Sequence, residues 1–241
     1  MILRKKLLAL AFVAVALGGG ACSSPTGRIA LKRAHLISQQ TYYVPAEQFK
    51  TLNFAPPPAS GSEAQQTDFA AIMDWQSRRT AADCAKADIT ARQTYDSFWG
   101  EKSPFPRPLP DEVKDFFDRL ASDLEEAVTN MKERWQRPRP YMAYPDQAKP
   151  CIKKSRGRSY PSGHASFSRV FANVMTDIVP ERRDEFFAKA DEIARDRVIG
   201  GVHYPTDIAA GKAFGDLYHA ELLKSEAYRA EIDKMKALLV K

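Results

Sequence analysis

The sequence predicts an all-α fold, a single-domain helical bundle that follows an irregular N-terminal arm. Two observations support this prediction. Apolar residues recur at positions i, i+3 and i+4 in most segments after Asp68, as expected for amphipathic helices. No segment shows the apolar and polar alternation of a strand, and no internal repeat is visible. The 241 residues are enough for one well-buried core.

The first 21 residues have the composition of an export signal. Arg4, Lys5 and Lys6 precede an apolar run over 7–17, and small residues follow over 18–21. The apolar run is shorter than the roughly 20 residues that a membrane span requires. We therefore expect residues 1–21 to be a signal peptide and the protein to be exported to a periplasm.

The three cysteines leave two questions open. Cleavage after Ala21 would make Cys22 the first residue, which is where lipoproteins carry their lipid. Gly19 stands where such signals usually have leucine, so a lipid tether at Cys22 and an untethered protein both remain possible outcomes. An oxidising compartment permits a disulfide between Cys84 and Cys151, and two buried free thiols are the alternative.

The charge balance excludes one class of partner. The formal net charge is +6, and about +3 remains once the three basic residues of the signal are removed. This balance is too small to predict nucleic-acid binding. A mildly basic surface instead favours small anionic molecules.

Residues 22–67 are expected to form the irregular arm, because helical periodicity is weak there and proline recurs at Pro45 and Pro56-Pro57-Pro58. The helical domain is expected over 68–241, with prolines ending or interrupting its helices. Helices are expected from Asp68, over 81–94, from Asp111 to Pro138 at the furthest, from Ser162 to Ile178, over 181–198, over 205–223 and over 225–239.

Three cationic residues are candidates for binding a phosphoryl group. Such a group keeps its negative charge through the transition state, so catalysis depends on positioning and electrostatic stabilisation. Lys132, Arg139 and Arg197 supply three positive charges. Pro138 and Pro140 flank Arg139 and are expected to hold it in an extended turn. Its guanidinium would then contact two phosphate oxygens at once.

A fourth candidate for anion binding is a helix start at Ser162-Gly163-His164. The unpaired backbone N–H groups and the positive dipole end of a helix attract anions, and Gly163 would allow a phosphate to come close. An ordinary helix start with Ser162 as the N-cap is the alternative interpretation.

His203 is followed four residues later by Asp207, just after Pro205 at the expected start of a helix. A carboxylate in that position accepts a proton from one imidazole nitrogen and leaves the other nitrogen free to attack. His35 and His219 lie outside the three segments and are expected to be structural.

These segments resemble the type 2 phosphatidic acid phosphatase superfamily. The similar residues are Lys132-x6-Arg139-Pro140, Pro161-Ser162-Gly163-His164 and Arg197-x5-His203-x3-Asp207. The chain also resembles the bacterial class A non-specific acid phosphatases in its length, its Tyr42-Tyr43 and triple-proline arm, and Cys151 ahead of Ser159-Tyr160. The resemblance therefore covers nearly all of the chain after the signal.

The resemblance implies an acid phosphatase that hydrolyses small phosphate monoesters with broad specificity. His203 would become phosphorylated, Asp207 would orient it, and His164 would protonate the leaving alcohol and then activate water. The phosphate would be held by Lys132, Arg139, Ser162, Gly163 and Arg197. The resemblance implies no metal or other cofactor, and homo-oligomers are common in the family. An acidic optimum is expected because His164, with an ordinary pKa of about 6.5, must start protonated.

One position departs from the family pattern, and two other functions remain as alternatives. Asp196 stands where the family has serine beside the arginine. It would either pair with Arg197 or point outward, and we expect the outward orientation. The alternative functions are a peripheral phosphatase of lipid phosphates or lipid pyrophosphates, tethered through Cys22, and a vanadium-dependent haloperoxidase.

Overall fold

The protein is described by a computed structural model that covers residues 40–239. The signal peptide expected at 1–21, Cys22 and His35 lie outside these described residues. Within 40–239 the chain forms nine α-helices and three 3-10 helices and contains no strand, which confirms the all-α prediction. No helix in this range combines the length and the apolar character that crossing a membrane requires.

The α-helices are α1 (Glu63–Arg78), α2 (Ala81–Ile89), α3 (Tyr95–Trp99), α4 (Asp111–Arg134), α5 (Pro140–Ala143), α6 (Gly163–Ile178), α7 (Arg183–Ile199), α8 (Pro205–Leu222) and α9 (Glu226–Leu239). The 3-10 helices are Ala46–Lys50, Gly100–Lys102 and Pro180–Arg182. Most bounds lie close to those expected from the apolar periodicity.

Helix α6 is the centre of the bundle. It is buried along most of its length, including Phe167, Phe171 and Met175, and it packs against α7, α8, α4 and α9. Its apolar residues therefore form one continuous core with those of α4 and α8. Because α6 is enclosed in this way, its N-terminal residues are held in a fixed position.

Glycine allows α6 and α8 to approach closely beside the N-terminus of α6. A Cβ atom added to Gly211 of α8 would lie 2.6 Å from the backbone oxygen of Ser162 and 2.7 Å from Cβ of Ala165. No larger residue fits there without moving one of the two helices. This contact fixes the first turn of α6 against α8.

The arm is irregular in its backbone, yet several of its side chains belong to the core. Tyr43 and Phe49 are buried, and the ring centroid of Phe49 lies 5.2 Å from that of Phe214. The carboxylate of Asp123 accepts the backbone N–H groups of three successive residues, 42–44. The first α-helix begins at Glu63, before the expected position 68, with Ser62 as its N-cap.

The helix expected over 81–94 is shorter than predicted. Helix α2 ends at Ile89, and Thr94 is the N-cap of the next helix, where its hydroxyl accepts the N–H group of Ser97. Thr94 therefore starts a new helix and does not extend α2, in keeping with the preference of threonine for N-caps. Residues 90–93 form a connecting turn.

Cys84 and Cys151 form a disulfide, with their Cα atoms 5.8 Å apart. Cys84 lies on α2, and Cys151 begins the basic loop that leads to α6. The disulfide therefore joins two segments that are 67 residues apart in the sequence.

Candidate active site

A cavity of about 680 Å³ lies between α4, the N-terminus of α6, the turn over 90–93 that follows α2, and the basic loop over 152–158. Six residues expected from the sequence line it: Lys132, Arg139, Gly163, His164, Arg197 and His203. Three helices, α4, α6 and α7, and four connecting segments thus contribute to one pocket.

Lys132 extends from the last turns of α4 and crosses to the loop before α6. Its Nζ donates hydrogen bonds to the backbone oxygens of Pro161, at 2.7 Å, and Arg158, at 2.9 Å. Removal from water lowers the pKa of the Lys132 ammonium to about 7, and the positive charge of Arg139 acts in the same direction. The side chain therefore loses its charge at a much lower pH than an ordinary lysine does.

Arg139 precedes α5 in extended backbone, with φ of −71° and ψ of 159°. Its guanidinium donates to the backbone oxygens of Gly157, at 2.8 Å, and Val202, at 2.9 Å. Nη1 also lies 2.9 Å from Nε2 of His203. Because a guanidinium can only donate, this Nε2 carries no hydrogen and presents its lone pair.

His203 is almost completely buried, and its other ring nitrogen contacts Asp207. Nδ1 lies 3.2 Å from Oδ2 of Asp207, so Nδ1 carries the hydrogen and donates it. Removal from water and the charge of Arg139 lower the pKa of the imidazole well below 6.5. The ring is therefore neutral, with a bare Nε2 that faces the cavity.

Asp207 lies behind His203 and does not line the cavity. Its Oδ2 also accepts from Ser159 Oγ, at 2.5 Å, and from the backbone N–H of Tyr204, at 2.9 Å. Burial raises the pKa of this carboxyl, but the hydrogen bond from His203 and the nearby charge of Arg137 outweigh burial and lower it. Asp207 is therefore ionised and fixed in place.

Arg197 is 2% exposed and reaches the cavity from the last turn of α7. Its Nη2 donates to Thr90 Oγ1 at 2.8 Å and also to the backbone oxygen of Ala87. Its buried Nε has no hydrogen-bond partner in the described part of the chain. This guanidinium is thus held from one side and keeps a donor available for a ligand.

The start of α6 supplies backbone groups and one imidazole. Ser162 is fully buried, caps α6 by accepting the N–H of Ala165 at 3.4 Å, and does not line the cavity. The structure therefore favours its role as an N-cap over direct phosphate contact by its hydroxyl. Gly163 lines the cavity beside Lys132.

The neighbours of His164 determine which of its ring nitrogens carries the hydrogen. Nε2 lies 3.2 Å from the backbone oxygen of Ala91, which only accepts, so Nε2 carries the hydrogen of the neutral ring. Removal from water lowers the pKa of His164 to about 3, and the charge of Arg197 contributes. Both effects favour the neutral imidazole, whereas we expected from the sequence that it starts protonated.

The turn after α2 was not recognised from the sequence as part of the site. It provides the hydroxyl of Thr90 to Arg197 and the carbonyl of Ala91 to His164, and the side chain of Gln93 lines the cavity. The Ala91 contact is made through the backbone, which carries no residue-type signal, and the side chains of Thr90 and Gln93 belong to no motif.

A second group that was not recognised lies behind Asp207. Arg137 is 6% exposed and forms ion pairs with Asp207, at 2.6 Å, and with Asp68 of α1, at 2.7 Å. The sequence places Arg137 inside the Lys132-x6-Arg139 spacing, in a Gln-Arg-Pro-Arg-Pro run. The sequence signal that could have identified Arg137 is therefore its position as a basic residue two places before Arg139.

Asp196 is buried, whereas we expected it to point outward. It is only 2% exposed, and its buried Oδ2 has no hydrogen-bond partner among the described residues. Adjacent side chains on a helix point in different directions around its axis. Asp196 therefore faces the packed side of α7 and does not pair with the neighbouring Arg197. Burial raises the pKa of its carboxyl.

No group of three or more His, Cys, Asp or Glu side chains that could hold a metal occurs within residues 40–239. The cavity instead offers three cationic side chains and a helix N-terminus, which together suit an oxyanion such as a phosphate.

Comparisons with known proteins agree with this chemistry. Residues 121–229 match the PAP2 superfamily. The chain is 31% identical over 119 residues to a non-specific acid phosphatase of Providencia stuartii, covering 48% of this chain and 47% of that protein. It is 24% identical over 224 residues to a non-specific acid phosphatase of Salmonella typhi, covering 86% of this chain and 87% of that protein.

The chain thus spans about half the length of the first relative and most of the second. Among solved structures, a bacterial vanadium-dependent iodoperoxidase aligns with a TM-score of 0.52 and 19% identity, over 75% of this chain and 53% of that chain. At this identity the likeness concerns the fold alone, and it agrees with the all-helical architecture.

Proposed function

We propose that the protein is an exported acid phosphatase. The premise is the match of residues 121–229 to the PAP2 superfamily. The protein hydrolyses phosphate monoesters through a phosphohistidine on His203. The observation that carries the proposal is the state of His203, whose bare Nε2 faces the cavity while its Nδ1–H donates to Asp207. The relatives named as acid phosphatases support the same reaction.

Substrate binding begins with the phosphoryl group in the cationic pocket. Arg139, Arg197 and Lys132 contact its oxygens together with the N–H groups that start α6. Arg139 Nη1, which lies 2.9 Å from His203 Nε2, transfers that hydrogen bond to a phosphate oxygen. Binding thereby exposes the lone pair of Nε2 to the phosphorus atom.

In the first chemical step Nε2 of His203 attacks phosphorus, and the bond from phosphorus to the leaving oxygen breaks. His164 gives a proton to that oxygen, so a neutral alcohol departs. Because Nε2 of His164 is held by Ala91, the proton leaves from Nδ1. The anionic phosphoryl group favours the protonated ring and so opposes the burial and the cationic neighbours that lower the pKa of His164, and the ring is protonated once substrate is bound.

In the second step a water molecule attacks the phosphohistidine. His164, now neutral, accepts a proton from this water, and the bond between phosphorus and Nε2 breaks. Phosphate leaves, and His203 is neutral again. His164 carries the proton taken from water and releases it to solvent once the negative charge of the phosphate has left. Asp207 stabilises the imidazolium of His203 during the intermediate stage.

Broad specificity follows from where the charged groups lie. The three cations surround the phosphoryl group, and a cavity of about 680 Å³ leaves room for leaving groups of different shapes. Loop residues such as Lys153 and Ser155 line the outer part and are exposed. We therefore propose that small phosphate monoesters in general are substrates.

The test is hydrolysis of an aryl phosphate by the purified protein in the presence of a chelator. His203→Ala is expected to lower kcat by at least about a thousandfold, because the nucleophile is lost. His219→Ala is the matched control, since His219 pairs with Asp177 away from the cavity, and we expect its kcat to stay within about threefold of wild type. Rapid quench of wild type into alkaline denaturant should trap phosphohistidine, whose phosphorus–nitrogen bond is stable in alkali, and near-normal turnover by His203→Ala would contradict the proposal.

A further inference from the structure

Arg137 is buried between two carboxylates on the side of His203 that faces away from the cavity. Its Nη1 donates to Oδ1 of Asp207 at 2.6 Å, and its Nη2 donates to Oδ2 of Asp68 at 2.7 Å. Nη2 also contacts Oε1 of Gln65 at 2.5 Å. Its guanidinium lies over the ring of Tyr204, with 4.1 Å between its Cζ and the ring centroid.

Asp68 connects this arginine to the helix that carries Asp207. The backbone N–H of Thr206 donates to Oδ1 of Asp68 at 3.0 Å, and the hydroxyl of Thr206 donates to Oδ2. Asp68 is 2% exposed and lies on α1, outside every segment that lines the cavity. One carboxylate thus fixes both Arg137 and the first turn of α8.

We propose that Arg137 and Asp68 are positioning residues for phosphoryl transfer, an inference that rests on the proposed function. Arg137 occupies Oδ1 of Asp207, so Oδ2 is the oxygen left for Nδ1 of His203. A carboxylate held at both oxygens cannot rotate about its terminal bond. The direction of the His203 lone pair is therefore set through two residues that never touch the substrate.

The buried charges around His203 stabilise its phosphorylated form more than its unphosphorylated form. Asp68, Arg137 and Asp207 together carry one net negative charge, and the unphosphorylated His203 is neutral. Phosphorylation at Nε2, with the hydrogen kept on Nδ1, makes the imidazole cationic. The buried set is then balanced, which stabilises the phosphohistidine in a low-dielectric environment.

Asp68 is necessary for this balance. Without its charge, Arg137 and Asp207 would neutralise each other, and the imidazolium would lose its counter-charge. On the cavity side, Arg139 and Lys132 also face His203, and the bound phosphoryl group offsets them. The negative charge behind His203 therefore depends on Asp68.

The experiment compares Asp68→Asn and Arg137→Lys with wild type in aryl phosphate hydrolysis. The control is Asp216→Asn, the same chemical change on α8, which removes the pair between Asp216 and Arg169 at 2.6 Å. We expect the two test variants to lose on the order of tenfold to a hundredfold in kcat. Their KM and their affinity for inorganic phosphate should stay within about threefold of wild type, because no phosphate-binding group changes.

A second measurement does not require turnover. The hydrogen on Nδ1 of His203 is expected to give a downfield proton NMR resonance in wild type that is absent in His203→Ala. It should weaken or shift in Asp68→Asn and Arg137→Lys and stay unchanged in Asp216→Asn. Arg137→Lys keeps the positive charge, so it allows the test if Asp68→Asn does not fold.

The outcomes separate the inference from the proposed function. Folded variants with kcat within about twofold of wild type and an unchanged Nδ1–H resonance would overturn the positioning role. Absence of turnover in wild type would instead count against the phosphatase function, and the resonance alone would then decide whether Arg137 and Asp68 orient His203.

Discussion

Arg139 serves both the resting site and the bound state. Its Nη1 donates to His203 Nε2 and to the backbone oxygen of Val202. This arrangement keeps the imidazole neutral and fixes its tautomer before substrate arrives. Phosphate binding then needs only a small displacement of one donor from nitrogen to oxygen. The nucleophile is thus preorganised by a group that also binds its target.

Lys132 provides a prediction about pH. Its pKa of about 7 means that the ammonium is present below that pH and is lost as pH rises through it. Phosphate binding should weaken on the alkaline side, so kcat/KM of wild type should fall above about pH 7. Lys132→Arg keeps its charge and should move this alkaline limb to higher pH.

The measurement is kcat/KM for an aryl phosphate between about pH 5 and pH 9 in both proteins. His219→Ala serves as the control and should reproduce the wild-type profile. An alkaline limb that stays in place in Lys132→Arg would mean that another group titrates there.

Asp196 provides a prediction about stability. Burial raises the pKa of its carboxyl above the ordinary value near 3.8, so the folded protein binds this proton more tightly than the unfolded chain does. The associated stability is present at low pH and is lost as pH rises through the raised pKa. Asp196→Asn removes the buried charge and should raise Tm at pH 7 relative to wild type.

The pH dependence distinguishes this effect from better packing. The gain in Tm of Asp196→Asn should be clearly larger near pH 7 than near pH 4, because the raised pKa lets Asp196 take up its proton more readily in the fold as the pH falls. Asp191→Asn, in a partly exposed pair with Lys212, is the control and should show little of this dependence. An equal gain at both pH values would contradict the assignment.

At the scale of single elements, most helices could be predicted from the sequence. The periodicity of α4, with Phe116, Leu120 and Leu124 in the core, and the Ser162 cap of α6 are local signals that tertiary contacts do not override. The end of α2 could not be predicted in this way. Thr90 and Ala91 have no strong turn signal, and their position is set by contacts to Arg197 and His164.

The close contact of α6 and α8 provides a prediction at this scale. Gly211→Ala would place a methyl group 2.6 Å from the backbone oxygen of Ser162, and a backbone atom there has little freedom to move. We expect the free energy of unfolding to fall by about 1–3 kcal/mol. Activity should also fall, because the displaced turn carries His164.

Chemical denaturation and aryl phosphate turnover provide the measurement. Gly157→Ala is the control for stability alone, since the nearest atom to an added Cβ is Ser155 Oγ at 3.7 Å. A free energy of unfolding for Gly211→Ala equal to that of wild type would show that the two helices separate at no cost.

At the scale of the whole molecule, the cavity is assembled from segments that are distant in sequence. The residue types of the three signature segments predicted that Lys132, Arg139, Arg197 and the two histidines belong together, and the structure places them around one cavity. The partners of Asp207 could not be predicted in this way. Asp68 precedes Asp207 by 139 residues and makes its contact to Arg137 only because α1 packs beside α8. Periodicity describes which face of a helix is buried, and it does not identify the partner.

The disulfide connects the two walls of this cavity. Cys84 lies on α2, whose end holds Arg197 and His164, and Cys151 begins the loop whose Gly157 carbonyl binds Arg139. Loss of the cross-link over 67 residues should lower the free energy of unfolding by about 4 kcal/mol, through the entropy of the unfolded chain. It should also loosen both walls, so that the phosphate-binding groups are less well fixed.

We therefore expect the double substitution Cys84→Ala and Cys151→Ala to raise KM for an aryl phosphate by about three- to tenfold, with a smaller change in kcat. Neither His203 nor Asp207 lies on a segment that carries one of the two cysteines, which is why kcat should change less. Reductant should have the same effect on wild type and no further effect on the double variant. If reduced wild type retains both its KM and its resistance to denaturant, the cavity walls are held by packing alone, and the disulfide contributes to neither binding nor stability.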